Sequence, residues 1–95
     1  MNPKTEEINM HEQIMNRMRR ISEPGPAAFC RVMAGEPGLL VKYLRSCGIR
    51  CSRAELKGQK EDRIVLSVLM EKKEKPVSFV LRFLRPGETI LSCQV

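Results

Sequence analysis

The chain has 95 residues, of which 42% are hydrophobic and 29% are charged. This length suits a single domain, and this composition excludes an intrinsically disordered protein. The net charge of +6 favours acidic partners such as nucleic acid, although many basic proteins carry such a charge only for solubility.

No part of the sequence is apolar for long enough to be a signal peptide or to span a bilayer. The segment 1–20 is rich in charges, and the longest mainly apolar run after it is 64–70. The sequence therefore predicts a cytoplasmic protein without membrane contact. Without a secretory signal, the cysteines are interpreted as free thiols. Cys30, Cys47 and Cys93 occupy positions where small apolar residues are expected.

The first half of the chain shows helical spacing of its apolar residues. Helices are expected over about 3–21, 26–34 and 35–47. Tyr43 belongs to the apolar face of the third helix and should be buried. Gly48 is expected to close that helix in the left-handed conformation.

Beyond about Arg63 the apolar residues alternate as they do in strands. The alternation is clear over 64–70 and 77–83. Segment 50–57 is expected to form a weak edge strand because it is highly charged, and a last strand should end at Val95.

These patterns together predict one α+β domain that spans residues 1–95. About three N-terminal helices, in a helical half over 3–48, should pack on a C-terminal sheet half over 50–95. The sheet is expected to be antiparallel and to have three or four strands.

The last hairpin presents a conflict between turn preference and burial. The Pro86-Gly87 pair suits the middle of a type II turn, whose two-residue loop would flip the last strand. Burial is worth about 1.5–3 kcal/mol per large side chain, so we expect a three-residue loop and an apolar face instead. That face would contain Phe79, Leu81, Phe83, Leu91, Cys93 and Val95.

The opposite side of the predicted sheet is too apolar for a surface that faces only water. The protein's own helices, a protein partner, a second copy of the chain or an apolar ligand are the possible covers. We predict non-enzymatic binding through this side, chiefly of a protein partner or of a second copy. The predicted partner-binding residues are Val65, Leu69, Val80, Arg82 and Leu84.

The alternative prediction is nucleic-acid binding by the basic segment 42–63, because clustered cations neutralise phosphates and release their counterions. The order of helices followed by a hairpin resembles the winged-helix family, whose third helix enters the DNA major groove. On that resemblance Lys42 and Arg45 face DNA, and the lysines of segment 72–75 lie at the wing tip. The candidate residues are Lys42, Arg45, Arg50, Arg53, Lys57 and Lys60.

In element order alone, the chain also resembles small cystatin-like and nuclear-transport-factor-like folds, in which N-terminal helices cross a curved antiparallel sheet. The final segment 77–95 is similar to their last hairpin. That resemblance implies a partner or ligand surface on the sheet, often with dimerisation.

Catalytic and metal-binding candidates are few. His11 is the single histidine and is expected to be partly buried and hydrogen-bonded, while Asp62 should be a solvated loop carboxylate. No phosphate-binding loop and no nucleophilic serine motif occurs. The cysteines lack the paired spacing of zinc sites. We therefore expect no enzyme, no cofactor and no metal.

Overall fold

The computed structural model of the chain describes residues 3–85 and 88–94. In this part of the chain, three helices precede four strands, and each strand pairs antiparallel with its neighbours in the order β1-β2-β3-β4. The predicted α+β class, with helices first and an antiparallel sheet second, is confirmed. The elements are α1 (Pro3–Arg19), α2 (Gly25–Ala34), α3 (Leu39–Ser46), β1 (Cys51–Gln59), β2 (Arg63–Met70), β3 (Val77–Arg85) and β4 (Glu88–Gln94).

Two glycines mark the ends of α3. Gly38 precedes the helix with φ +81°, and Gly48 follows it with φ +91°. Glycine adopts this conformation without the steric strain that other residues meet. The amide of Gly48 donates to the carbonyl of Arg45 at 3.0 Å, and the amide of Ile49 donates to that of Leu44 at 3.0 Å. The predicted role of Gly48 is confirmed.

The three helices cover one side of the sheet, which we call the helix side. Along β2, Ile64, Leu66 and Val68 are fully buried on this side, and the residues between them are partly exposed. This alternation follows from the two-residue period of a strand. Every helix contributes to the same core: Ile14, Met15 and Met18 from α1, Ala28, Phe29, Val32 and Met33 from α2, and Leu39, Leu40, Tyr43 and Leu44 from α3.

Phe29 joins α2 both to α3 and to the sheet. Its ring meets Tyr43 edge to face with a centroid distance of 5.5 Å, and it meets Phe83 of β3 in the same manner at 5.6 Å. Such pairs add about 0.5–1.5 kcal/mol to the free energy of apolar burial. Phe29 is therefore a junction of three elements.

The last hairpin has the predicted apolar register, but the predicted three-residue loop was wrong. Leu81, which is fully buried on the helix side, pairs with Leu91, and the register shifts by one residue between Phe83 and Arg85. Arg85 pairs with Glu88, which leaves two residues between the paired ends. Because Leu84 is an extra residue on β3, which forms a β-bulge, the strands keep the apolar register although only two residues connect them. The predicted turn residues Pro86 and Gly87, like Val95, lie outside the described residues.

The cysteine prediction was wrong at Cys47 and Cys93. Cys51 is fully buried at the start of β1, where it pairs with Met70, whereas Cys47 and Cys93 are exposed. Cys47 is exposed because α3 ends at Ser46, so that this residue caps the helix instead of extending its apolar face. Cys93 lies on the helix side of an outer strand, beyond the cover of the described helices. Cys30 is only partly buried.

A helix that spans a bilayer needs about 20 apolar residues. None of the helices in the described part of the chain meets this requirement. The cytoplasmic location stays a prediction.

Candidate interaction surface

The side of the sheet that faces away from the helices, which we call the reverse face, carries an apolar patch. Val65 of β2 lies directly opposite Val80 of β3, and Leu69 lies farther along the same side of β2, beyond Ser67. Ile90 of β4 is 50% exposed and extends this reverse-face patch to the outer strand. None of these four side chains packs against the helix-side core.

The predicted partner-binding residues occupy unequal positions. Val65 and Leu69 are partly exposed and can therefore touch a partner. Val80 is only 3% exposed, flanked by Val65 and Ser92 on the adjacent strands, and therefore supports the patch instead of offering contact area. Leu84 is 56% exposed, but as the extra residue of the bulge it lies at the end of the sheet, where it lines a cavity together with Met15 and Phe83.

Arginines border the reverse-face patch. Arg82, the fifth predicted residue, lies directly opposite Arg63 of β2 on one side and Ile90 of β4 on the other. Two like charges in this position repel each other. Asp62 offsets the repulsion, since Nε of Arg63 donates to its Oδ1 at 3.0 Å. This hydrogen bond, together with the charge of Arg82, lowers the pKa of the Asp62 carboxyl.

β1 also contributes to this face, which its sequence did not predict. Arg53 lies directly opposite Leu69, so that a third arginine borders the patch. Two register shifts interrupt the pairing of β1 with β2, between Cys51 and Arg53 and between Leu56 and Gly58. The charged β1 has no clean alternation from which its side of the sheet can be predicted.

The candidate nucleic-acid residues on α3 are ion-paired. Nζ of Lys42 lies 3.9 Å from a carboxylate oxygen of Glu36, and Nη2 of Arg45 lies 3.3 Å from one of Glu71. Both cations are exposed, as predicted. Pairing with carboxylates reduces the positive charge that α3 presents to a phosphate backbone.

The other candidate cations are spread along β1. Nζ of Lys57 lies 2.8 Å from Oε2 of Glu55, and the hydrogen bond and the charge of this lysine lower the pKa of that carboxyl. Arg50 and Lys60 flank opposite ends of this strand, whose nine residues extend over about 30 Å. The structure therefore does not bring the basic segment into one cluster.

The hairpin that resembles a wing is formed by the two interior strands, β2 and β3. Lys72, Lys73 and Lys75 are exposed in its connection. Because β1 and β4 flank this hairpin, it is the middle of a four-stranded sheet and does not stand beside the helices as a separate wing.

His11 takes part in a polar contact at the border of the core. Its Nδ1 lies 3.3 Å from the hydroxyl of Tyr43, which in turn lies 3.5 Å from Oγ1 of Thr89. The imidazole also stacks on the Tyr43 ring with a centroid distance of 6.0 Å. The prediction of a partly buried, hydrogen-bonded histidine is confirmed. Tyr43 itself is 1% exposed, and burial raises its pKa to about 12.

We expect Tyr43 to ionise near pH 12 in the folded protein and near pH 10 in urea. The neutral phenol stabilises the fold fully below pH 10, and on the order of 2–3 kcal/mol is lost as the pH rises toward 12. Because the chain has one tyrosine and no tryptophan, the long-wavelength absorbance band of tyrosinate, which cysteine thiolates do not share, reports this group alone. A midpoint near 10 while circular dichroism still shows the fold would contradict the burial of Tyr43.

The described residues contain no group of three or more side chains able to hold a metal ion together. Burial raises the pKa of the Cys30 and Cys51 thiols, which disfavours the nucleophilic thiolate. The expectation that the chain is not an enzyme stays a prediction.

A cavity of about 350 Å³ opens where the end of α1, the start of α2 and the bulge of β3 meet. Its walls include Met15, Met18, Phe83 and Leu84, with Glu61 among the polar lining residues. The sequence offered no signal for it, because segments that are distant in the sequence form it only after folding.

Comparison of the chain with protein family models, curated proteins and solved structures gives no match.

Proposed function

We propose that the protein is a non-enzymatic binding module that docks a protein partner on its reverse face. One observation carries this proposal: Val65, Leu69, Val80 and Ile90 form a second apolar set that does not pack against the helix-side core. Apolar side chains grouped on one face and bordered by polar ones are typical of interaction surfaces.

The border charges favour a partner that presents carboxylates around an apolar contact. Arg53, Arg63 and Arg82 share the reverse face with Glu55, and Asp62 lies next to it. Glu55 and Asp62 are already bonded to Lys57 and Arg63 respectively, whereas Arg82 forms no ion pair with any described residue. Complementary charge of this kind steers association and selects partners.

Leu69→Asp is expected to abolish partner binding and to leave the fold intact. A carboxylate at this position is unfavourable in an apolar contact and repels an acidic partner. Proteins retained from native extract by immobilised wild-type chain are compared with those retained by Leu69→Asp. Gln13→Asp is the control, because it adds the same charge at an exposed position on α1.

The proposal requires a protein that wild type and Gln13→Asp retain and that Leu69→Asp loses. Retention of the same proteins by all three chains would contradict it. An unfolded Leu69→Asp would also contradict it, because Leu69 would then belong to the core.

Nucleic-acid binding is the alternative function. It is supported by the net charge of +6 and by Arg50, Arg53 and Lys60, which form no ion pair among the described residues. Affinity for phosphates falls steeply with salt, because binding releases counterions. A mobility shift of a mixed oligonucleotide that disappears as salt is raised would support this alternative, and no shift even at low salt would remove it.

A further inference from the structure

The two edges of the sheet differ in their protection against further strand pairing. At the β1 edge, two register shifts interrupt the pairing with β2. The exposed side chains of this strand include Arg53, Glu55 and Lys57. Bulges and charged side chains are the devices by which natural edge strands avoid pairing with another chain. The β1 edge is therefore protected.

The β4 edge lacks both devices over most of its length. β4 pairs with β3 without a register shift from Thr89 to Gln94, and Glu88 at its start is its one charged residue. Within the described ranges 3–85 and 88–94, no segment pairs with its outer side. Outward-facing amide and carbonyl groups on such an edge form a template for another strand.

Neither side of the sheet obstructs an approach to this edge. Ile90 and Ser92 are exposed on the reverse face, and Cys93 is exposed on the helix side. The described helices reach β4 only near its start, where the hydroxyl of Tyr43 lies 3.5 Å from Oγ1 of Thr89, and they leave Cys93 uncovered. Ile90, Ser92 and Cys93 carry no charge that would repel an incoming strand.

We propose that β4 pairs antiparallel with β4 of a second copy, so that two four-stranded sheets join across a twofold axis. This inference goes beyond the proposed docking function, since it concerns the backbone edge of one strand and not the side chains of the reverse face. A second copy is the favoured occupant because antiparallel self-pairing is complementary and closes at two copies. Pairing of β4 with the β1 edge would instead propagate into filaments, and the bulges and charges of β1 oppose it.

The dimer should be weak and should tighten as salt is added. A strand of seven residues buries less than the roughly 1,200–2,000 Å² of a stable interface, so we expect micromolar or weaker association. Each copy carries a net charge of +6, and salt screens the resulting repulsion. Nucleic-acid binding responds to salt in the opposite direction.

Sedimentation of the full chain at increasing concentration, with reductant present, tests this proposal. Ser92→Lys and Cys93→Lys each place a lysine at the edge, on opposite sides of the sheet. Ser78→Lys is the control, because it places the same charge on the reverse face of β3, away from the edge. We expect wild type and Ser78→Lys to dimerise alike and both edge variants to dissociate about tenfold more readily.

A wild-type chain that stays monomeric at the highest concentration and salt would overturn the proposal. So would a dimer that Ser92→Lys weakens and Cys93→Lys does not, because this outcome places the contact on the reverse face. If an edge variant fails to fold, hydrogen exchange of the wild type decides: amide protection must rise with concentration in β4 and not in β1. If Leu69→Asp loses its partner and still dimerises, dimerisation does not depend on the reverse face. This result distinguishes the β4 dimer from the proposed docking function.

Discussion

Leu66→Asp is expected to leave the chain unfolded at neutral pH. Leu66 is 0% exposed and lies on the helix side between Leu56 of β1 and Phe79 of β3. The substitution removes about 1.5–3 kcal/mol of apolar burial and adds the desolvation of a carboxyl group, which is several kcal/mol more. A domain of this kind is stable by about 5–15 kcal/mol in total. Circular dichroism of the purified variant measures the outcome.

Ser78→Asp is the matched control, since Ser78 is exposed on the reverse face of β3. It adds the same charge and should change the free energy of unfolding by about 1 kcal/mol or less. A Leu66→Asp chain that unfolds cooperatively at the wild-type urea concentration would contradict the assignment of this residue to the core.

Phe29→Ala should remove about 3–5 kcal/mol from the free energy of unfolding. Phe29 is 0% exposed, and its edge-to-face contacts with Tyr43 and Phe83 join α2 to α3 and to the sheet. The cavity left by the ring cannot be refilled without moving one of these elements. Urea unfolding followed by circular dichroism measures the loss.

Ile90→Ala provides the comparison for Phe29→Ala, because Ile90 is half-exposed on the reverse face. Its loss should be about 1 kcal/mol or less in the isolated chain. Equal losses for the two variants would show that Phe29 is not the junction that its contacts indicate.

The fold class was predictable because apolar residues recur with helical spacing in the first half of the chain and alternate as in strands in the second half. The burial of Tyr43, the left-handed Gly48 and the alternation of Ile64, Leu66 and Val68 each depend on neighbours within a few positions. Local spacing carries such information, and the structure agrees with it.

Features that depend on distant pairing were not predictable. The bulge at Leu84 allows the connection after β3 and the apolar register to coexist, and no local pattern requires it. The bulges of β1 place Arg53 opposite Leu69, although the sequence analysis assigned this arginine to a nucleic-acid segment. Cys47 was misplaced for a related reason, since one residue at the end of α3 decides whether a helical face continues.

The sequence predicted on which side of the sheet the candidate surface lies. It did not predict which side chains are exposed there or which charges border them. Strand parity placed Val65 and Leu69 on the side away from the helices, and the register agrees. The near-complete burial of Val80 between its cross-strand neighbours and the arginine border follow from the register of the assembled sheet. The two-residue period of a strand predicts neither the burial of Val80 nor the arginine border.

Urea unfolding of Leu69→Asp tests most directly whether the reverse face lies outside the core. Leu69 and Leu66 belong to the same strand and differ in the side of the sheet that they face. We predict cooperative unfolding of Leu69→Asp with a free energy within about 1–1.5 kcal/mol of wild type. A Leu69→Asp chain that is as unfolded as Leu66→Asp would contradict this, because both sides of the sheet would then be core.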